Sequence, residues 1–450
     1  MNVIDTPRSA QSFHFVRVAY DAATAHAALF YRFDEGPELI ESIRFADTAL
    51  AIPSGREAAF AAALRLLHLI AGISYYKAAV PERIVVEGDS LDRELAALLD
   101  AIYLHGLGEF AHRNGLDLRG RIRFPHDDRV AAMATRIALP RRTLVPIGGG
   151  KDSLVTVELL RAAHEPMTAT WVGRSPLIAA CVERSGLPAL NIDRQISPLL
   201  FEMNRNGAWN GHIPVTAINS AILVCAAILH GYDAIAFSNE RSASSANFVH
   251  DGFAVNHQWS KSIDFERAFR EHVRTRVAAD FDYFSALRPL SELAVTRLFA
   301  PLAQYHDVFS SCNRNFRILG DKPAERWCGQ CPKCHFVFLA LSPFLPKTRL
   351  VAIFGRNLLD DAALATDFDA LLEIGAHKPF ECVGEGRESR AAMAALATRA
   401  EWREDALVAR FRERILPMLD LHELDLAALT TADGPHFIPA RLSRIFDALG

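Results

Sequence analysis

"PIGGGKDSLV", residues 146–155, decides how this chain is read. Three consecutive glycines, then Lys151, Asp152 and Ser153, lead into the apolar helical pattern "LVTVELLRAA", and "TLVPI" before them reads as a short buried strand. A strand, a glycine loop and a helix in that order read as a phosphate-binding turn. Glycine lets backbone N–H groups approach the anion, and the helix directs its positive end at it. Two common phosphate loops fail here. The dinucleotide fingerprint G-x-G-x-x-G needs its third glycine where Ser153 stands. The G-x-x-x-x-G-K-[ST] loop needs a glycine at Val145 and a hydroxyl at Asp152. A carboxylate among phosphates is repulsive on its own, so Asp152 implies Mg²⁺ between the two.

Working outward, strand and helix patterns alternate: "MTATWVG", "SPLIAACVERSG" with Ser175 as N-cap and Pro176 at the first helical position, "ALNID", "AINSAILVCAAILHG" and "DAIAFS". This predicts a doubly wound, mainly parallel α/β sheet whose ligands sit at the carboxyl ends of its strands. "GGGKDS" (148–153) is similar to the S-G-G-x-D-S loop of the PP-loop ATP pyrophosphatases, with Gly148 in place of the first serine. The resemblance implies that Gly148, Gly149, Gly150, Lys151, Asp152 and Ser153 grip ATP. It also implies that the adenine lies against the next strand at Thr170, Trp171 and Val172. A ligand-free glycine turn is the plain alternative.

Upstream, "FHFVRVAY", "AALFYRF" and "ELIESIRF" alternate as an antiparallel meander. "SGREAAFAAALRLLHLIAG" (54–72) reads as a helix capped by Ser54, and residues 91–116 as a second helical stretch. Beyond Pro346 the pattern is mostly helical. The expected organisation is an N-terminal α+β domain (1–138), a PP-loop domain carrying a cysteine knuckle (139–345) and a mostly helical C-terminal region (346–450). A chain of 450 residues has room for that many cores.

Net charge is −4, from 49 basic and 53 acidic residues, so no basic nucleic-acid footprint is present. The start lacks the charged and apolar regions of a signal peptide. The apolar run 221–229 falls short of the roughly 20 residues that span a bilayer. Expected are a cytoplasmic location, a small-molecule substrate, no nucleic acid and no membrane insertion. Nothing in the sequence specifies an oligomeric state.

Of seven cysteines, Cys312, Cys328, Cys331 and Cys334 form C-x₁₅-C-x-x-C-x-x-C, with Gly329 and Pro332 supplying turn geometry. Four thiolates suit a closed, structural Zn²⁺ site. Buried free thiols, an iron–sulfur cluster or a redox pair are the alternatives, and His335 is an adjacent substitute ligand. Cys181, Cys225 and Cys382 read as ordinary core thiols.

The glycine loop together with "CGQCPKC" resembles the deazaguanine-forming branch of the ATP pyrophosphatases over residues 140–340. "NGHIPVTAINS" (210–220), "SNERSAS" (238–244), "NHQWSKS" (256–262), "GISYYKAAVP" (72–81) and "HKPFECVGE" (377–385) together are similar to the MurL family across nearly the whole chain. These are UDP-N-acetyl-α-D-muramoyl-L-alanyl-L-glutamate epimerases. That resemblance implies a step of peptidoglycan precursor synthesis, in which the terminal L-glutamate of UDP-MurNAc-L-Ala-L-Glu becomes D-glutamate. ATP is consumed to AMP and pyrophosphate through an acyl-adenylate. On this reading Glu240 is a second Mg²⁺ ligand and Arg241 binds a phosphate or carboxylate. His212 and His257 are candidate proton-transfer groups, surface loop histidines being the alternative. Tyr75, Tyr76, Lys77, Asn239 and Lys261 are candidate substrate contacts, with the tyrosine pair alternatively a packed helix end. His377 and Lys378 carry no role beyond the resemblance. Competing functions are another PP-loop adenylating enzyme of the nitrile-forming or tRNA-modifying type, and a zinc-stabilised nucleotide-binding module without catalysis.

Overall fold

The computed structural model describes residues 5–88, 90–128, 132–317, 322–375 and 378–448. Eleven strands occur in it: β1 (Ser12–Asp21), β2 (His26–Phe33), β3 (Leu39–Arg44), β4 (Arg83–Val86), β5 (Thr143–Pro146), β6 (Met167–Val172), β7 (Ala189–Gln195), β8 (Ala234–Phe237), β9 (Phe248–His250), β10 (Phe253–Val255) and β11 (Asp282–Ser285). Nine of them form one sheet in the order β11-β8-β5-β6-β7-β3-β2-β1-β4, and β9 and β10 pair apart from it. From β11 to β7 every pairing is parallel, as the alternating strand and helix patterns predict. β1, β2 and β3 form the expected antiparallel meander, and β4 adds in parallel beside β1.

Both faces of the parallel half are covered, and the short strands show how. Leu144, Ile235 and Tyr283 pack into one core, whereas their neighbours Val145, Ala234, Ala236 and Phe284 pack into the other. That is the period-2 alternation of a strand buried on both sides. The first core takes the helices Glu57–Ala71 and Val215–His230, which pack on each other. The second takes Lys151–Ala162, Glu292–Phe299 and Pro332–Leu341, together with Trp402 and Leu407 from the carboxy-terminal region. That region is helical among the described residues beyond 346.

Three features differ from the sequence reading. The boundary read at residue 138 does not separate two sheets, because β3 hydrogen-bonds to β7 in antiparallel register (Ile43 opposite Arg194) and the sheet runs straight through. The first long helix starts at Glu57 without a side-chain cap. Gly55, at φ +81°, turns the chain there, and Ser54 lies outside the helix. Finally, residues Glu57–Tyr76 are long and apolar enough to cross a membrane by length and composition, but 78% of that window is buried in the fold.

Candidate active site

The parallel strands β5, β8 and β11 are neighbours, and each delivers one carboxylate just past its carboxyl end. After β5 the glycine loop enters the helix Lys151–Ala162, with Gly150 as its N-cap and Asp152 in the first turn. After β8 comes Glu240, buried, in the turn where Ser285 fixes the backbone of Asn239: Asn239 N–H donates to Ser285 Oγ at 2.7 Å, and Ser285 Oγ donates to the Asn239 carbonyl at 2.6 Å. After β11 comes Glu292, the first residue of the helix Glu292–Phe299, whose N-cap Ser291 accepts from Ala294 N–H. Carboxylate oxygens of Asp152, Glu240 and Glu292 lie within 4.8 Å of one another.

Three lysines answer them, Lys151 and Lys333 buried and Lys261 half-buried. Lys151 Nζ donates to both Asp152 and Glu292, and Lys333 Nζ stands 3.6 Å from Glu292 Oε1. Burial opposes the charge on Asp152, but Lys151, Lys333 and Lys261 outweigh it and hold that carboxyl below its ordinary range. Glu240 has no such direct partner among the described residues. Burial, and then the charges of Glu292 and Asp152, push it up to about 7. A further cation would remove that conflict, so the donor set fits a divalent ion with oxygen ligands.

The loop beside these carboxylates is shaped for close approach. Gly149 sits at φ +84°, and a Cβ there would lie 3.3 Å from the Ser310 carbonyl. Ser310 N–H donates to the Gly149 carbonyl at 2.8 Å, so the segment entering the cysteine knuckle props the glycine loop directly. Gly148 N–H reaches Ser153 Oγ at 3.4 Å. Thr170 accepts from Ile147 N–H at 2.8 Å, which sets Trp171 and Val172, both half-buried, beside the loop at the end of β6.

In the knuckle the sulfurs of Cys312, Cys328, Cys331 and Cys334 all lie within 4.8 Å of one another, with 3.5 Å from Cys331 to Cys334 and 3.7 Å from Cys328 to Cys334. A zinc ion with bonds of about 2.3 Å to four tetrahedral sulfurs places them about 3.8 Å apart, so the cluster fits that ion. Hydrogen bonding from Cys331 and Cys334 holds Cys312 far below the thiol range, while its contact with Cys312 pushes Cys331 up to about 12. His335 is not part of the cluster. It is buried, stacks on Phe368, and its Nε2 lies 3.2 Å from the Gly329 carbonyl.

A second polar group adjoins the first. His257 donates from Nδ1 to Glu109, whose other oxygen accepts from Arg113 at 2.6 Å. The ring of His212 lies 4.2 Å from that of His257, and its Nδ1 is 3.7 Å from Glu109. Burial, then the charge of His257, pushes His212 down to about 3. Burial opposes the charge on His257 too, yet hydrogen bonds to Cys382 and Glu109 raise it to about 9. Glu109, His212 and His257 also lie within 4.8 Å of one another, but His257 bonded to Glu109 as an imidazolium has no lone pair to offer a metal. Lys261 Nζ donates to Cys382 Sγ at 3.2 Å and lowers the pKa of Asp152 and Glu240, so it links the two groups.

The remaining candidates divide. Lys77 is buried, donates to Asn210 Oδ1 at 2.7 Å beside the His212 loop, and is pushed down to about 8 by burial. Tyr75 and Tyr76 lie inside the amino-terminal core instead of facing a ligand. Tyr75 stacks on Tyr31 and accepts from Ser197 N–H, and Tyr76 donates to the Pro81 carbonyl. Arg241 turns away from the carboxylates and donates to the Asp433 carbonyl at 3.1 Å, lining a cavity of about 900 Å³ with Arg387, Arg390 and His422. Cys181 and Cys225 are buried core thiols as expected, but Cys382 is not: it is half-buried among charged groups. His377 lies outside the described residues.

Residues 4–286 match the family described as the MurL N-terminal domain, and residues 308–425 the MurL C-terminal domain. A protein of Xanthomonas oryzae pv. oryzae named UDP-N-acetyl-alpha-D-muramoyl-L-alanyl-L-glutamate epimerase is 59% identical over 431 residues, 96% of each chain. Proteins of the same name from Salinispora tropica and a Micromonospora species are 41% and 40% identical. They cover 98% and 96% of this chain, and 96% and 97% of their own lengths.

Proposed function

Since the chain belongs to the MurL epimerase family, we propose that it inverts the terminal L-glutamate of UDP-MurNAc-L-Ala-L-Glu through an ATP-derived acyl-adenylate, releasing AMP and pyrophosphate. The observation that carries the ATP step is the convergence of Asp152, Glu240 and Glu292 beside the glycine loop. Phosphate rests on backbone N–H groups of the loop and on the amino end of the following helix, with Ser153 at hand. Mg²⁺ held by the three carboxylates would neutralise charge on the phosphates. Zn²⁺ on the four cysteines would be structural, since no ligand position stays open.

The inversion itself explains the need for ATP. Removing a proton beside a carboxylate builds a second negative charge next to the first. Converting that carboxylate to the adenylate, a mixed anhydride, cancels its charge and lets the electron pair of the broken C–H bond spread into the carbonyl as an enolate. A positioned base then takes the proton, and an acid returns one on the opposite face. Hydrolysis of the adenylate frees the product. ATP and a nucleotide-linked sugar substrate accord with a cytoplasmic location.

The test uses D₂O with the UDP-muramoyl dipeptide, ATP and Mg²⁺. D-glutamate product should carry deuterium at Cα, with AMP and pyrophosphate formed alongside it. Asp152→Asn and Glu292→Gln should each lower pyrophosphate release at least about 100-fold while leaving the fold intact. Inversion by the wild-type enzyme without ATP refutes the adenylate.

A further inference from the structure

The segment 378–385 crosses the 247–258 loop: Asn247 Nδ2 donates to the Pro379 carbonyl at 2.7 Å, and Gln258 Nε2 to that of Val383 at 3.4 Å. Lys333, which faces Glu292, also donates to the Cys382 carbonyl. Cys382 therefore stands one lysine away from the carboxylate group on two sides, through Lys333 and through Lys261.

Its surroundings favour the thiolate: Lys261 Nζ donates to the sulfur. Burial opposes the charge, but Lys261 Nζ at 3.2 Å, the hydrogen bond from His257 and the nearby Lys333 outweigh it and bring the thiol down to about 5. The buried Cys181, by contrast, is pushed up to about 12. A thiolate–imidazolium pair buttressed by Glu109 is a costly arrangement for a purely structural cysteine. It also removes His257 as the base, because the imidazolium has no free lone pair.

Two further groups on the same segment lack partners among the described residues. Glu381 Oε2 is a buried, unpaired oxygen, and burial pushes its carboxyl up to about 7. Lys378 is 5% exposed with its ammonium unpaired. An orphaned buried ammonium is unfavourable until an anion meets it, and the glutamyl dipeptide supplies carboxylates.

We propose that the Cys382 thiolate is the base that removes the Cα proton of the activated glutamate. This rests on the function proposed above and names the group that acts within it. The Cα–H bond breaks, its proton forms an S–H bond, and its electron pair passes into the adenylated carboxyl as an enolate. A proton then reaches the opposite face from an acid in exchange with solvent. The thiol loses its proton to water as Lys261 and His257 restore the thiolate.

The test is Cys382→Ser in the full chain, assayed in D₂O with the UDP-muramoyl dipeptide, ATP and Mg²⁺. Pyrophosphate release within about twofold of the parent, with inversion and deuterium uptake both lowered by about 100-fold or more, is the expected result. Inversion retained within tenfold overturns the proposal. So does parallel loss of adenylation and inversion in a folded variant, which would make Cys382 a binding residue. If the variant does not fold, alkylation of the wild-type enzyme by iodoacetamide, mapped to Cys382, decides the matter. The charged groups about the sulfur are Lys261, His257, Lys333 and Glu381, with Glu109 behind His257. A midpoint near 5 with protection by the dipeptide supports the thiolate base. A midpoint near the ordinary thiol value of about 8.5, or no protection, overturns it. Should the wild-type enzyme invert without ATP, the adenylate reading fails, and comparing deuterium uptake by Cys382→Ser and parent without ATP still tests the base.

Discussion

The seam between β3 and β7 is closed by a buried ion pair, and cutting it should cost the whole fold, not one half. Arg194 on β7 donates from Nε to Glu41 Oε1 at 2.8 Å and from Nη2 to Glu41 Oε2 at 3.3 Å, with Ser74 Oγ accepting at 3.0 Å. The Glu41 side chain is 0% exposed and that of Arg194 10%. Glu41→Leu leaves the guanidinium buried with, among the described residues, only the serine, a loss of about 3–5 kcal/mol. With an unfolding entropy of about 2.1 cal/mol/K per residue, 450 residues give about 0.9 kcal/mol/K, so Tm should fall by about 3–5 °C. Arg194→Met strands the carboxylate and should cost a similar amount. Glu41→Leu/Arg194→Met together should return to within about 2 °C of the parent, because an apolar pair replaces two buried charges. Calorimetry with near-ultraviolet dichroism on all four proteins measures this cycle. A single variant within 1 °C of the parent, or a double variant that loses the sum of the two, refutes the clamp.

Other outcomes follow from single contacts. Purified protein should carry about one zinc per chain, and Cys331→Ser should lower both Tm and, through Ser310 and Gly149, ATP affinity; zinc-free protein of unchanged Tm would disprove the site. Gly149→Ala forces a side chain to φ +84° against the Ser310 carbonyl, so stability should fall by about 1–3 kcal/mol and ATP binding should weaken in calorimetric titration. Tyr76→Phe should cost about 1 kcal/mol from the bond to Pro81 and leave KM unchanged; a KM rise would restore Tyr76 to the substrate surface.

The glycine loop and the cysteine knuckle were legible in the sequence because each is local: their chemistry is set by neighbours within a few residues. Asp152 and Glu240 were legible for a related reason, each following directly on a recognisable buried strand. Glu292 was missed although its carboxylate lies beside theirs. β11 is four residues long, and "ALRPLS" between it and Glu292 carries no glycine signal. Glu109 was hidden inside a helical pattern, where a buried acid looks like any solvated one. Cys382 looked like a core thiol because what makes it a charged group, Lys261 and His257, comes from more than a hundred residues upstream. Tyr75 and Tyr76 stayed open between two readings: an aromatic pair at a helix end has the same sequence whether it packs inward on Tyr31, as here, or faces a ligand.

The continuous sheet also sets a timetable for synthesis. β3 ends at Arg44 and its partner β7 ends at Gln195, about 150 residues later. At about 5–20 residues per second the meander waits some 8–30 s on the ribosome with one edge bare. Until β7 arrives, that edge offers unpaired N–H and C=O groups to any other strand. Ile40 alone projects from it as a large exposed hydrophobic residue, while Glu41 places a charge along the same edge. In the finished protein Glu41 fastens β7. In the nascent chain the same carboxylate, still without Arg194, discourages a stranger from docking first.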